Sequence, residues 1–218
     1  MLRIYTRTGD DGTTGLLYGG RVGKDAPIMQ INGAVDEAQS AMGMARAEAE
    51  PDSELDQMLV GLERELYVLM AELATDPTNH HKLKPGQTLV TAEMVASLEV
   101  RIDDLKDRFE MPAEFVVPGA NRGSAALDLA RTVVRRAERL WVSERIEGSE
   151  VGRYLNRLSD LLWAMARWVE GDHHLLARGE PRRRREPSDA AAAPPPADTA
   201  DPDPSTGTSD GEPGGLLS

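Results

Sequence analysis

Arg131, Arg135 and Glu138 stand at i, i+4 and i+7, so a helix through them carries two guanidinium forks and a carboxylate on one face. Paired forks suit bidentate recognition of phosphate. Arg136 and Arg139 add charge to the same segment. The face also reads as a solvated one laced by charge pairs at helical spacing. A second candidate is the run Thr6-Arg7-Thr8-Gly9-Asp10-Asp11-Gly12-Thr13-Thr14-Gly15. Its glycines let backbone N–H groups converge on an anion, its threonines add hydroxyl donors, and Arg7 and Lys24 supply positive charge. The run lacks the Gly-Lys-Ser/Thr ending of a Walker A loop and has no βαβ context. Taken alone, it also reads as a flexible Gly/Thr turn.

Two further groups follow. Asn156, Asp160 and Trp163 recur at helical spacing. An asparagine inside a helix is a poor helix former, which points to a hydrogen bond with a ligand or a neighbouring helix. Asp36-Glu37 places acids where an arginine of the 131–139 segment can pair with them. The histidines come as His80-His81 and His173-His174. Adjacent residues point to different helix faces and no third ligand accompanies them, so no metal site is expected. There is no cysteine, hence no thiolate ligand, disulfide or cysteine nucleophile, and no Ser/His/Asp arrangement suggests acyl transfer.

These residues need elements to position them, and 3.6-residue periodicity supplies five helices. They are expected at about 27–48, 53–75, 91–109, 122–147 and 150–177, with Ser53 and Thr91 as N-caps and Pro77 stopping the second. The interior stripes are Ile31, Val35, Ala38, Met42 and Ala45; Leu59 through Leu73; Val95, Leu98 and Leu105; Leu127, Ala130, Val134, Ala137 and Trp141; and Tyr154, Leu155, Leu158, Leu162 and Met165. The fold class expected is all-α, an antiparallel five-helix bundle. Aromatic residues make up only 4%, which argues against an all-β fold. Three regions result: an N-terminal loop at 1–25, a helical bundle at 26–178, and a tail at 179–218 rich in Ala, Pro and Asp that is expected to be disordered. The four-arginine run at 182–185 reads as a solvated linker. Lys and Arg number 25 against 37 Asp and Glu, a net charge of −12 over 218 residues. A field of that sign repels nucleic acid but leaves room for a local basic pocket. With no membrane-length apolar run and no signal-peptide pattern, a soluble cytoplasmic protein is expected.

Taken in order, the segments resemble the PduO-type ATP:cob(I)alamin adenosyltransferases. The matching stretches are Tyr5 to Gly15, Arg21-Val22-Gly23-Lys24-Asp25, Gly33-Ala34-Val35-Asp36-Glu37, Phe115-Val116-Val117-Pro118-Gly119, Ala130-Arg131-Thr132 with Arg135 to Arg139, and Tyr154 to Asp160. The resemblance covers about residues 3–175. It implies a bundle of the ferritin-like, cobalamin adenosyltransferase-like kind, assembled as a homotrimer with active sites between subunits. It implies transfer of the 5′-deoxyadenosyl group of ATP to the cobalt of a reduced corrinoid, giving adenosylcobalamin and triphosphate. ATP is then the co-substrate, accompanied by Mg²⁺, and a reductase and an adenosylcobalamin-dependent acceptor enzyme are implied partners.

By the same resemblance, Thr6, Arg7, Thr8, Gly9, Thr14, Gly15 and Lys24 form the ATP loop. Arg135, Arg136, Glu138 and Arg139 form the triphosphate helix, and Asn156 contacts the nucleotide. Phe115 lies beside the corrinoid and keeps its lower axial face free. Arg135, Phe115 and Asn156 carry catalysis, while Asp36 and Arg131 pair across the subunit interface. The chain departs from the family pattern at Ala38-Gln39, Leu17-Tyr18-Gly19-Gly20, Ala120 and Trp163-Ala164. None of these removes a charged ligand; they bear on corrinoid choice. The alternative function is a non-enzymatic corrinoid carrier that escorts cofactor to a mutase. A purely structural helical oligomer is a third.

Overall fold

The structure, a computed structural model, describes residue 5 and residues 7–178. Thr6, expected among the nucleotide contacts, and the tail from 179, expected to be disordered, lie outside the described residues.

Each helix begins where local chemistry lets it. α1 (Pro27–Ala47) opens on a proline, whose missing N–H is one the first turn leaves unpaired anyway. α2 (Glu54–Leu73) is capped by Ser53, whose side chain accepts from Asp56 N, and α3 (Ala92–Arg108) by Thr91, which accepts from Met94 N. α4 (Arg122–Trp141) starts with a reciprocal pair: Ser124 N donates to Asn121 Oδ1 at 2.8 Å, and Asn121 N donates to Ser124 Oγ at 3.3 Å. α5 (Val151–Glu170) has no side-chain cap.

Cross-links fix the directions. Glu37 pairs with Arg136, and Glu48 lies beside Gly123, so α1 and α4 run antiparallel. Glu138 meets Asn156 while Asn121 reaches Val169 O, so α4 and α5 are antiparallel too. Val90 N donates to Glu72 at one end and Arg108 pairs with Glu54 at the other, which sets α2 against α3. The chain therefore runs up and down five times, as the stripes required. The stripe residues meet in one core: Ile31, Val35, Ala38, Met42 and Ala45 are buried, with Leu59, Leu62, Leu66, Leu69 and Leu73, Leu98, Leu127, Leu155 and Leu162. Leu55, Met58, Met94, Ile102 and Val169 sit at its margin, half-buried.

Two helix ends differ from the expectation. α4 stops at Trp141 rather than 147. Beyond it the sequence offers Glu144, Arg145 and Glu147 where the stripe needs apolar residues, and Gly148 takes a positive φ of 79° that turns the chain into α5. α5 stops at Glu170 rather than 177, because Gly171 adopts φ 56° and the chain leaves for a strand. That strand, β4 (Leu175–Leu176), pairs antiparallel with β3 (Val116–Val117). A second hairpin joins β1 (Thr13–Gly15) and β2 (Arg21–Gly23), with Thr14 opposite Val22. The N-terminal run expected as a loop is thus partly paired. Among the described residues no helix is long and apolar enough to cross a membrane.

Candidate active site

Gly9 lies in the tightest part of the N-terminal turn. A Cβ there would stand 3.0 Å from Thr13 O and 3.2 Å from Lys24 Nζ. The crowding arises because Lys24 folds over the turn: its Nζ donates to Gly9 O at 2.7 Å, and its N donates to Gly12 O at 2.9 Å. Arg21 ties the same loop from the other strand, donating through Nε to Thr13 Oγ1 at 2.9 Å and through Nη2 to Thr8 O at 2.6 Å. Asp11 Oδ1 accepts from Thr13 N at 3.0 Å and Thr13 Oγ1 at 2.7 Å. Those bonds, with the nearby charge of Arg21, hold the Asp11 carboxyl below the usual carboxylate range. Arg7 takes a positive φ of 61° and its guanidinium lies 5.5 Å from the Tyr5 ring. Leu17 N donates to Ala74 O at 2.7 Å, which fastens the hairpin to the C-terminal end of α2.

The C-terminal half of α4 and the N-terminal half of α5 hold a second polar group. Arg135 is exposed and makes no hydrogen bond or ion pair among the described residues. Arg136 is engaged with Glu37 of α1. Glu138 Oε1 accepts from Asn156 Nδ2 at 2.8 Å, and Asn156 Oδ1 accepts from Arg157 Nη1 at 2.6 Å. Arg157 Nε donates to Glu99 Oε1 of α3 at 2.8 Å. Burial pushes the Asp160 carboxyl up, and the charge of Arg157 opposes it. The helical asparagine thus does bond a neighbouring helix, while Arg135, whose charge also acts on Asp160, makes no hydrogen bond among the described residues.

Three depressions follow one another along α5. A cleft of 530 Å³ is lined by Glu138, Trp141, Gly152, Asn156 and Arg157 among others. Gly152 makes its floor possible, since a Cβ there would fall 2.6 Å from Trp141 Nε1. Arg157 also lines the next, of 630 Å³, with Glu99, Lys106, Asp160 and Trp163. Trp163 in turn lines a third of 410 Å³, together with Phe115, Pro112 and Arg178. Asn156 and Trp163 are seven residues apart on one helix, so the track from the first cleft to the third spans about 10 Å.

Comparison with known proteins identifies this arrangement. A model of the cobalamin adenosyltransferase family matches residues 4–169. The chain belongs to the cobalamin adenosyltransferase family. It is 42% identical over 173 residues to the corrinoid adenosyltransferase of Citrobacter freundii, covering 78% of this chain and 96% of that one. It is 38% identical over 176 residues to the corrinoid adenosyltransferase PduO of Salmonella typhimurium, where 79% of this chain spans about half, 51%, of the relative's length. Among solved structures it resembles a variant of the PduO-type ATP:corrinoid adenosyltransferase of Lactobacillus reuteri complexed with cobalamin and ATP. The TM-score is 0.71 at 28% identity, over 81% of this chain and all of that one. A second variant of the same enzyme, complexed with ATP, gives 0.67 at 30% identity, over 77% and 94%.

In this adenosyltransferase the residues expected at the site fall into three places. Thr8, Gly9, Thr14, Gly15 and Lys24 lie in or beside the β1–β2 hairpin, and Arg7 stands at its mouth. Glu138 and Asn156 line the α4–α5 cleft, and Arg135 and Arg139 are exposed residues of the same stretch of α4. Phe115 stands apart at the other end of α5, 87% exposed, on the residue before β3, where its carbonyl accepts from Ala177 N at 2.7 Å. Asp36 and Arg131 form no ion pair within the chain. Asp36 is exposed, and Arg131 Nε donates to Asp128 Oδ1 at 3.2 Å. The acid of α1 that does reach α4 within the chain is Glu37. Reading the sequence missed Arg21 as the loop's organising cation. It also missed the buried Arg167, paired with Asp128 and Glu170. An arginine eight residues after Thr13 across a Gly-rich turn is the only trace of the first.

Proposed function

We propose that this chain transfers the 5′-deoxyadenosyl group of ATP to the cobalt of a reduced corrinoid, forming adenosylcobalamin and releasing triphosphate. The observation that carries the reading is the row of neighbouring depressions along α5, from the cleft of Glu138 and Asn156 to the exposed ring of Phe115. The nucleotide occupies the end at Glu138 and Asn156 and the corrinoid the end at Phe115. The relatives named for corrinoid adenosylation and the neighbouring structures complexed with cobalamin and ATP support it.

The chemistry asks the protein for orientation and charge, not for a nucleophile. The Co(I) lone pair attacks C5′ of ATP. The Co–C bond forms as the C5′–O bond breaks, cobalt ends as Co(III), and the bonding electrons leave with triphosphate. Arg135 and Arg139, the Lys24 ammonium, and the amides and hydroxyls around Thr8, Gly9 and Thr14 hold that polyanion. Asn156 fixes the nucleoside, with Glu138 holding its amide. Placing C5′ over cobalt is an entropic task that a rigid groove performs well. Phe115 keeps the lower face of cobalt unligated, which eases reduction to Co(I). Mg²⁺ travels on the polyphosphate; among the described residues no three carboxylate or imidazole groups converge to hold it alone.

Each site lies between two protomers of a homotrimer, where Asp36 pairs with Arg131 of the partner subunit. Residues 1–25 serve as the nucleotide loop and 26–178 as the catalytic bundle. The enzyme works in the cytoplasm, receives electrons from a reductase and passes its product to an adenosylcobalamin-dependent enzyme. The test is spectral: protein, ATP, a reductant and cob(II)alamin. The expected result is a light-sensitive Co–C product with one triphosphate released per adenosyl group. Tight corrinoid binding without turnover would favour a carrier and contradict the proposal.

A further inference from the structure

Arg167 is a buried cation that the transfer chemistry does not use. It sits in the last turn of α5, 2% exposed. Its Nη2 donates to Asp128 Oδ2 of α4 at 2.5 Å and to Glu170 Oε1 at 2.9 Å. Its Nε stands 2.9 Å from Glu170 Oε2, an ion-pair contact too bent for a hydrogen bond. Asp128 also accepts from Arg131 through its other oxygen. The four charges balance, two of each sign. Burying such a set gains little over apolar side chains of the same volume, because desolvation offsets the attraction. Stability alone is therefore a weak reason for it.

The group reaches the corrinoid end of the site by two routes. The Arg167 guanidinium lies 5.9 Å from the centre of the Trp163 ring, within cation–π range. Trp163 is the wall shared by the second and third depressions, the latter formed with Phe115. Glu170 is the last residue of α5, directly before the Gly171 turn that sends the chain into β4. Among the described residues β4 is the only strand partner of β3, and the residue before β3 is Phe115. A hairpin of two residues per strand has little stability of its own. Its orientation depends on what anchors its ends.

Building on the reading of Phe115 as the corrinoid-side residue, we infer that Arg167 is a positioning residue for the corrinoid step. It braces Trp163 and the end of α5, so that the hairpin bearing Phe115 meets the corrinoid in one orientation. Through Asp128 it also joins that brace to Arg131 on α4.

The experiment compares Arg167→Met, Arg167→Lys, Trp163→Leu and Phe115→Ala with the unmodified full-length chain. Two quantities are read: the KM for ATP and for cob(II)alamin, and the absorbance spectrum of cob(II)alamin bound with ATP. Arg167→Met and Trp163→Leu are expected to lower corrinoid turnover by about ten- to a hundredfold, as small misplacements do. Their bound cob(II)alamin should keep the spectrum of the free form, and their KM for ATP should stay within about twofold of the unmodified chain. Arg167→Lys, which keeps the charge without the planar fork, should recover part of the loss. If Arg167→Met does not fold, Trp163→Leu and Arg167→Lys decide the matter. Unaltered spectra and turnover in those two overturn the inference, as does a KM for ATP that rises in parallel. A silent Phe115→Ala removes the premise instead, and an inactive unmodified chain removes the adenosyltransferase reading.

Discussion

Asn156 and Glu138 share a 2.8 Å hydrogen bond between α5 and α4, and the amide's oxygen is taken by Arg157 at 2.6 Å. One mid-helix amide thus uses both its ends to set the floor of the groove. Asn156→Ala removes both bonds and leaves Glu138 facing the nucleotide with an unpaired charge. The kcat/KM for ATP should fall by an amount equivalent to about 1–3 kcal/mol, while corrinoid affinity holds. Steady-state kinetics with each substrate varied in turn decide it; a matching loss for both substrates would point to a general structural role.

Arg135 stands near the same groove with its fork uncommitted. Arg135→Ala should cost about 1–3 kcal/mol in ATP use, the range for charge-assisted contacts. Because the side chain is exposed and makes no hydrogen bond or close ion pair among the described residues, the melting temperature should move little. A stability loss without a change in ATP kinetics would mean that the fork serves folding rather than the phosphates.

Gly9→Ala tests the hairpin. Its Cβ would press on Thr13 O and Lys24 Nζ, and the ammonium is the mobile partner of the two. Lys24 should swing from its 2.7 Å bond to Gly9 O. We expect a higher KM for ATP, by about tenfold for a charge-assisted contact of that size, with a thermal melt near that of the unmodified chain. Isothermal titration with ATP reads it directly; an unchanged affinity would show that the turn's geometry does not matter to the nucleotide.

How much of this could be read from the chain varies with the kind of signal. The five stripes announced the bundle because Leu and Ala recur at 3.6 residues and nothing competes with that period. Both short hairpins escaped, since two- and three-residue strands leave no alternation to see, and β1 is built from Thr and Gly. The overrun of α4 arose because no proline or glycine breaks the sequence between Trp141 and Gly148, whereas the apolar stripe itself ends at Trp141. Arg135, Glu138 and Asn156 were legible by spacing. Phe115 was not: an exposed aromatic ring in a loop has no periodic partner, and only the family resemblance singled it out. Arg167 stayed hidden because a helical arginine ordinarily faces water. Its burial depends on Asp128, 39 positions away.

Glu72 gives a pH dependence of known sign. Its carboxylate is fully buried, accepting from Val90 N at 2.7 Å and Ser149 Oγ at 2.5 Å. Burial pushes its pKa up, and the two hydrogen bonds offset only part of that. An acid with a raised pKa binds its proton more tightly folded than unfolded. Its contribution is therefore present below about pH 4.3, the unfolded value, and is lost as pH rises through the folded value. The stability of the native chain relative to Glu72→Gln should decline as pH climbs from about 4 toward neutrality. Urea melts of both proteins across that range measure it; a difference that is flat or grows with pH contradicts the burial argument.

The central claim is that the hairpin of one protomer and the α4 groove of the next grip a single nucleotide. Co-expression of Lys24→Ala and Arg135→Ala chains, each carrying a different tag, tests it most directly. Each variant alone has one damaged half in every site. Every trimer that holds both chains rebuilds one intact site of its three, so tandem-purified mixtures should recover up to about a third of unmodified turnover. Mixed assemblies no more active than either parent would contradict the shared site.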